Sequence, residues 1–332
     1  MSSTNKYMNQ IVTIAKKEFK DAIRNKVFLT FLIFLLGLTA ISIYVGSVNY
    51  QAKVSLFEKT YAQLIVNGQP SDTLVKPEFF PLQLLRATIE YLEIIGAILA
   101  ISLGYLSIAK EKGNGTLPLI FTRPISRKKY YIGKMLGNIA LIVSISVILF
   151  LFTFLLIRFV GGVNLNSLEI TKILLTTGAT ILYLFIFFSL SALFTIIVKH
   201  PSNALIFSFV IWLFFVLIVP QIGDTMDTDN QVPGGFFNAI HVNKEQSNII
   251  LKDFSTYEKL RNGTEEISIT KHYERLVFAF LGIKDMYNNK FLGFIFKDKL
   301  QDLDLIVIFL LVFGITPVYA FNRSKNLWQQ NE

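Results

Sequence analysis

The chain contains no cysteine among its 332 residues. That excludes a disulfide scaffold and any thiolate-held zinc or iron–sulfur site. Charge is scarce as well: Asp, Glu, Lys and Arg together make up 17% of the residues, against about 25% in soluble domains. Histidine occurs only three times, and no Gly-x-x-x-x-Gly-Lys-Ser/Thr run is present to cradle a nucleotide phosphate. No internal repeat, low-complexity tract or strong hairpin pattern stands out. What the chain has in abundance is apolar surface, at 52% hydrophobic residues including 31 Phe. A soluble fold of this length has too little interior to hide so much, and a disordered chain would not carry it.

The apolar residues are gathered into long runs. Val27 to Ala52, Met135 to Ile157, Ile173 to Val198, Ala204 to Gly223 and Leu305 to Asn322 hold no Asp, Glu, Lys or Arg. Each approaches or exceeds the roughly 20 residues that a helix needs to cross a bilayer core about 30 Å thick. Ile94 to Ala109 is shorter, and spans only if its helix starts near Leu85 with Arg86, Glu90 and Glu93 at one end. The expected fold is all-α and polytopic, with six transmembrane helices. The first run exceeds a signal-peptide core of 7–15 residues and is read as retained.

Lys and Arg placement orients the spans. With a cytoplasmic N-terminus, segments 1–26, 110–134, 199–203 and 322–332 lie inside and hold sixteen basic and four acidic residues. All other residues together hold sixteen basic and nineteen acidic residues. The net charge of +9 is therefore a property of one side, and reads as topology and lipid anchoring rather than nucleic-acid binding. Both termini are expected in the cytoplasm of a multi-pass plasma-membrane protein.

This division gives an organisation of the chain. Residues 1–26 form an amphipathic interfacial helix, with Ile11, Ile14, Ala15, Phe19, Ala22 and Ile23 on the apolar stripe and Lys16, Lys17, Lys20 and Arg24 off it. Residues 27–223 carry spans one to five and an inner loop at 110–134. Residues 224–304 are too long for a bare connection and form a mostly helical outer cap, with an amphipathic helix marked by Ile249, Ile250, Phe254, Tyr257 and Leu260. Residues 305–332 carry span six and a short tail.

The inner loop reads AKEKGNGTLPLIFTRPISRKKYYIGKMLG. Gly113, Asn114 and Gly115 make a turn, Thr116 is placed to cap a short helix through Leu117 to Phe121, and Pro124 ends it. Ser126 then caps the helix that leads into span three. The product is a short amphipathic helix between two turns, rimmed by cations and shaped to plug into a soluble partner.

Glu111, Gly115, Thr116, Leu117, Pro124, Ile125, Ser126, Arg127, Gly133 and Lys134 together resemble the loop pattern of ABC-2 type ABC transporter permeases. The resemblance is to the group that includes the permease of the nitrous-oxide-reductase maturation system. The AKKEFKDAIRNKVF stretch, with Glu18 and Arg24, resembles that family's amphipathic N-terminal helix. The resemblance implies a dimeric permease, homodimer or paired, driven by a separate ATPase subunit that binds ATP and Mg. This chain would then have no cofactor and no catalytic residue of its own. The ATPase would meet Glu111, Gly115, Thr116, Leu117, Arg123, Pro124, Ser126 and Arg127 in the loop, and Lys199 and His200 in the turn between spans four and five. Export is the implied direction. The alternative is a non-transporting partner that passes ATPase motion to an outer protein through the cap.

Arg86, Glu90 and Glu93 fall at i, i+4 and i+7, and are candidates for a polar pathway or for an ordinary headgroup-level pair. His241, His272, Met226 and Met286 match no metal-ligand spacing and are read as surface or cap-core residues. Asn262-Gly263-Thr264 is a candidate glycosylation sequon on the outer side. Pro220 and Pro317 are expected to kink spans five and six.

Overall fold

The structure, a computed structural model, describes residues 3–67, 80–122, 124–227, 232, 235–288 and 290–324. Arg123 and most of the acidic stretch after Asp227 lie outside the described residues. Among the described residues the secondary structure is helical, with no strand. Six helices of the described residues are long and apolar enough to cross a membrane.

Helix α1 (Ser3–Ile23) precedes the first span. Asn25 breaks the chain in extended conformation and accepts from the Val27 N–H at 3.0 Å, which starts α2 (Lys26–Val66). The apolar run ends at Ala52, yet the helix continues for fourteen more residues. Nothing between Ser47 and Asn67 stops it, since that stretch holds neither Gly nor Pro. At 1.5 Å per residue, its 41 residues reach about 60 Å, twice a bilayer core.

Span two is α3 (Pro81–Gly113) and includes a π-helical turn at Leu92–Gly96. The short α4 (Leu117–Ile120) follows, then span three, α5 (Arg127–Phe159). Span four is α6 (Ser167–Ile197), opened by a capping box in which Asn166 Oδ1 accepts from the Glu169 N–H at 2.8 Å and Glu169 accepts from the Asn166 N–H at 2.7 Å. Span five is α7 (Pro201–Met226), with a second π-turn at Phe214–Ile218. Among the described residues five α-helices then lead to span six: α8 (Phe236–Ala239), α9 (Lys244–Asp253), α10 (Ser255–Glu266), α11 (Ile269–Leu281) and α12 (Leu292–Asp298). Span six is α13 (Leu300–Arg323), with Pro317 inside it.

Spans two and four form the centre of the bundle. The most apolar window of each is 67% buried, against 22% for spans one and five and 11% for span six. Gly104 allows their contact: a Cβ there would meet the Phe188 carbonyl oxygen at 2.2 Å. Small residues let membrane helices approach backbone to backbone in this way. Tyr183, Phe187 and Phe188 of α6 fill the centre and are fully buried. The outer spans face away from the bundle with apolar side chains, as a lipid solvent permits.

Helix α11 changes the picture of an outer cap. Nearly all its residues are buried, against α6 and α13. It is a plug inserted into one end of the bundle rather than a cover over it. By contrast the expected amphipathic helix is two helices, α9 and α10, broken at Phe254, and Ile249, Phe254, Tyr257 and Leu260 are exposed. That stripe has no partner within the described chain, which is why its periodicity did not locate core.

Candidate functional site: a buried ion-pair node beneath two exposed turns

Helix α1 lies along the start of α5, and two glycines set the distance. A Cβ on Gly133 would fall 2.8 Å from Ile14 Cβ, and one on Gly137 would fall 2.6 Å from the Ala15 carbonyl oxygen and 2.8 Å from Glu18 Cβ. The close approach brings three charged side chains together. Lys134, 3% exposed, donates to Glu18 Oε1 at 2.8 Å and pairs with Glu111 Oε1 at 2.9 Å. Tyr130 donates its O–H to Glu111 Oε1 at 2.6 Å, and the Lys134 ammonium lies 5.3 Å from the Tyr130 ring centroid. Lys17 closes the group from the solvent side, 3.6 Å from Glu18 and 3.7 Å from Glu111. One node therefore ties α1, α3 and α5.

Above the node the loop turns through Gly115, whose φ of 62° is a left-handed conformation that glycine adopts without strain. The Thr116 N–H donates to the Glu111 carbonyl at 3.0 Å. Thr116 does not cap α4 as its position led one to expect. Its backbone is helical already, and its Oγ1 donates to the same Glu111 carbonyl at 3.3 Å. Leu117 anchors α4 by full burial beside Ile108, Tyr130, Tyr131 and Phe321, while Leu119 is exposed. Ser126 does cap α5, accepting from the Lys129 N–H at 3.4 Å.

The candidate contact residues thus divide. Glu111 and Leu117 face inward and hold the loop in shape, so neither is offered to a partner. Pro124, Ser126, Arg127, Lys199 and His200 are exposed at the same end of the bundle, and Thr116 is half-buried. Arg123 is outside the described residues. Lys112, which the loop pattern did not single out, joins the two turns: its ammonium donates to the Thr195 carbonyl at 3.0 Å and to the Val198 carbonyl. These are unpaired carbonyls at the C-terminal end of α6, where a cation also meets the helix dipole. Its place three residues before Gly115 gave no signal of this, because the partner lies over eighty residues away.

At the opposite end Arg86 and Glu90 form an exposed i,i+4 pair at 3.0 Å. Glu93, at the start of the π-turn, is buried instead: it is 8% exposed and its Oε1 has no hydrogen-bond partner. The Glu93 carbonyl accepts from Tyr183 Oη at 2.8 Å, and Tyr183 stacks on Tyr273 of α11 with centroids 4.3 Å apart. Tyr273 and Thr180 share a hydrogen bond at 2.8 Å. Pro220 has no N–H to give, and the carbonyl five residues back, Phe215, accepts from Ser268 Oγ at 2.6 Å instead. His272 is buried, with Nδ1 2.8 Å from Asp302 Oδ1 and Nε2 2.8 Å from the Glu266 carbonyl. Spans two, four, five and six are thus all tied to α11 or its cap. Lys271, beside it, is burdened by burial, but Glu274 and Asp224 more than offset this and raise its pKa. Asn262 is exposed on α10. Among the described residues no three His, Asp or Glu side chains gather as metal ligands.

Six apolar spans packed around buried aromatic centres, with a charged node under exposed turns at one end, define a multi-pass membrane protein. The chain matches the ABC-2 family transporter protein family over residues 12–325. It belongs to that family, and the match supports a permease subunit of an ABC transporter. No curated protein matches it.

Proposed function

We propose that this chain is the membrane half of an ATP-driven exporter, paired with a second permease chain and driven by a separate ATPase subunit that holds ATP and Mg. The α1 end faces the cytoplasm of the plasma membrane, and the α11 end faces out. The α4 turn is the coupling element, and the Lys199-His200 turn is the second contact. The observation that carries this is the Lys112 bridge. It makes the two turns one unit, so a push on α4 reaches α3 and α6, the two central spans. Such transmission suits alternating rigid-body motion.

The test is co-purification from the host followed by substitution. An ATP-binding subunit is expected to come with the wild-type chain. Arg127→Glu, at an exposed position, is expected to weaken that association at least tenfold, as an interfacial charge reversal does. A chain that purifies without such a subunit, or Arg127→Glu with unchanged association, would sink the assignment of this face.

A further inference from the structure

Helix α11 carries one of the three histidines of the chain, and both of its ring nitrogens face acceptors. The His272 side chain is 1% exposed, with Nδ1 2.8 Å from Asp302 Oδ1 and Nε2 2.8 Å from the Glu266 carbonyl oxygen. A carboxylate and a backbone carbonyl have no hydrogen to give, so each contact is a hydrogen bond only if the ring nitrogen donates. A neutral imidazole has one N–H and one bare lone pair. It would satisfy one acceptor and set its lone pair against the other, away from solvent, which is costly for a buried polar group. The imidazolium has two N–H groups and satisfies both. The second proton belongs on the ring, because Asp302 also faces Lys299 at 3.6 Å and Arg275 at 4.0 Å, both partners for a carboxylate.

The surrounding charges fit a cation at this position. Arg275 of α11 pairs with Glu265 of α10, and Lys299 pairs with Asp298 of α12 at 3.3 Å. The Glu266 carboxylate lies 3.3 Å from Gln301 Nε2. Two cations thus stand against four carboxylates, and an imidazolium reduces that imbalance. The other faces of α11 meet Tyr183 of α6 and Glu93 of α3, while Lys271, Glu274 and Asp224 form a separate ion-pair group. His272 is also where α11 is tied to both of its chain neighbours, since Glu266 ends α10 and Asp302 opens span six. We propose that His272 is a proton-binding site that latches α11 into the bundle: the seated helix takes up one proton, and the unseated helix releases it. Seating is then favoured at lower pH and weakens as pH rises through the range in which the imidazole gives up its second proton. The proton comes from the α11 side, which the reading above places outside. The latch itself needs neither that orientation nor the ATPase.

The experiment uses the full chain in detergent, labelled with nitrogen-15 histidine, between about pH 5 and pH 8. Nitrogen chemical shifts report the protons on each ring, and His272→Gln identifies the signal by its loss. Protection factors of α11 amides are measured over the same range. Both ring nitrogens of His272 are expected to be protonated while α11 is protected. Protection is expected to fall about tenfold as the second proton leaves, the effect of one lost hydrogen bond to a buried acceptor. In His272→Gln, which keeps one donor, α11 protection is expected to be lower and flat across the range. A bare ring nitrogen in the protected state would overturn the proposal, as would protection that stays constant while the proton leaves. A wild-type pH dependence in His272→Gln would assign the proton to another group. If that variant does not fold, the link between ring protonation and α11 protection in the wild type decides the matter alone. No ATPase is present, so failure here leaves the coupling assignment standing, and failure of co-purification leaves the latch standing.

Discussion

Lys134 is buried between two carboxylates, and its removal strands both. Breaking a buried pair by deleting one partner costs about 3–5 kcal/mol, because the remaining charge keeps its desolvation penalty without compensation. Lys134→Met, close in length, is expected to destabilise the chain by about that amount in denaturant unfolding in detergent. The triple change Glu18→Gln, Glu111→Gln, Lys134→Met is expected to recover part of it, since no charge is then left alone. If the triple variant were no better than the single one, the node would owe its importance to packing. Gly137 makes a second residue-scale test. Alanine there must move a backbone oxygen at 2.6 Å, so Gly137→Ala is expected to cost about 1–3 kcal/mol. The same variant is expected to make α1 more accessible to protease. Gly133 and Gly137 lie four residues apart on one face of α5, where small residues permit close packing. Glu18 as the partner of Lys134 was not legible in the sequence, because the pairing joins residues 116 positions apart.

Helix α11 illustrates what periodicity can and cannot report at the scale of an element. The apolar run from Leu276 to Ile283 stands in the sequence, but nothing in it reports the depth of the helix. Whether an amphipathic helix lies on a bundle or inside it depends on the neighbours, and the exposed α9–α10 stripe shows the other outcome of a similar pattern. The burial of Glu93 was equally invisible in its i, i+4, i+7 spacing, because it depends on α6 packing against that turn. For α11 itself, Tyr273→Phe removes the hydrogen bond with Thr180 and keeps the stacking on Tyr183. It is expected to cost about 1 kcal/mol, whereas Tyr273→Ala is expected to cost about 3–5 kcal/mol, both read by unfolding. Equal losses would mean that the hydroxyl, not the ring, holds the plug.

The next helix, α12, gives a pH test. The Tyr287 O–H, followed by Lys299, lowers the Asp298 pKa below its ordinary 3.8, although partial burial works the other way. A carboxyl lowered by folding stabilises the folded form above its unfolded pKa, and that contribution fades as pH falls through the lowered value. Protection factors of α12 amides, that is, exchange rates corrected for their intrinsic pH dependence, are therefore expected to fall below about pH 4 in the wild type. They are expected to show no such acid limb in Asp298→Asn.

For the molecule as a whole, the helical fold and the six spans were legible because each is local: a run of apolar residues that no Asp, Glu, Lys or Arg interrupts. What the sequence did not display is the wiring between them, since Lys112 reaches carbonyls of another span and nothing in its own neighbourhood marks it. That wiring makes a prediction that neither turn makes alone. If ATPase motion enters at α4 and must reach α6, removing the bridge is expected to uncouple without detaching. Lys112→Ala leaves the exposed contact residues in place, so the ATPase subunit should still co-purify in full. The Thr195 and Val198 carbonyls would turn to water, and α3 and α6 would no longer move together. Transported substrate per ATP hydrolysed is then expected to fall about tenfold, the effect of losing roughly 1.4 kcal/mol of coupling, while ATP hydrolysis itself persists. Lys112→Arg keeps a cation able to donate to the same carbonyls and is expected to restore most of the ratio. If Lys112→Ala transported with wild-type stoichiometry, the two turns would be acting independently. If it lost the ATPase subunit altogether, the bridge would belong to the dock rather than to the transmission.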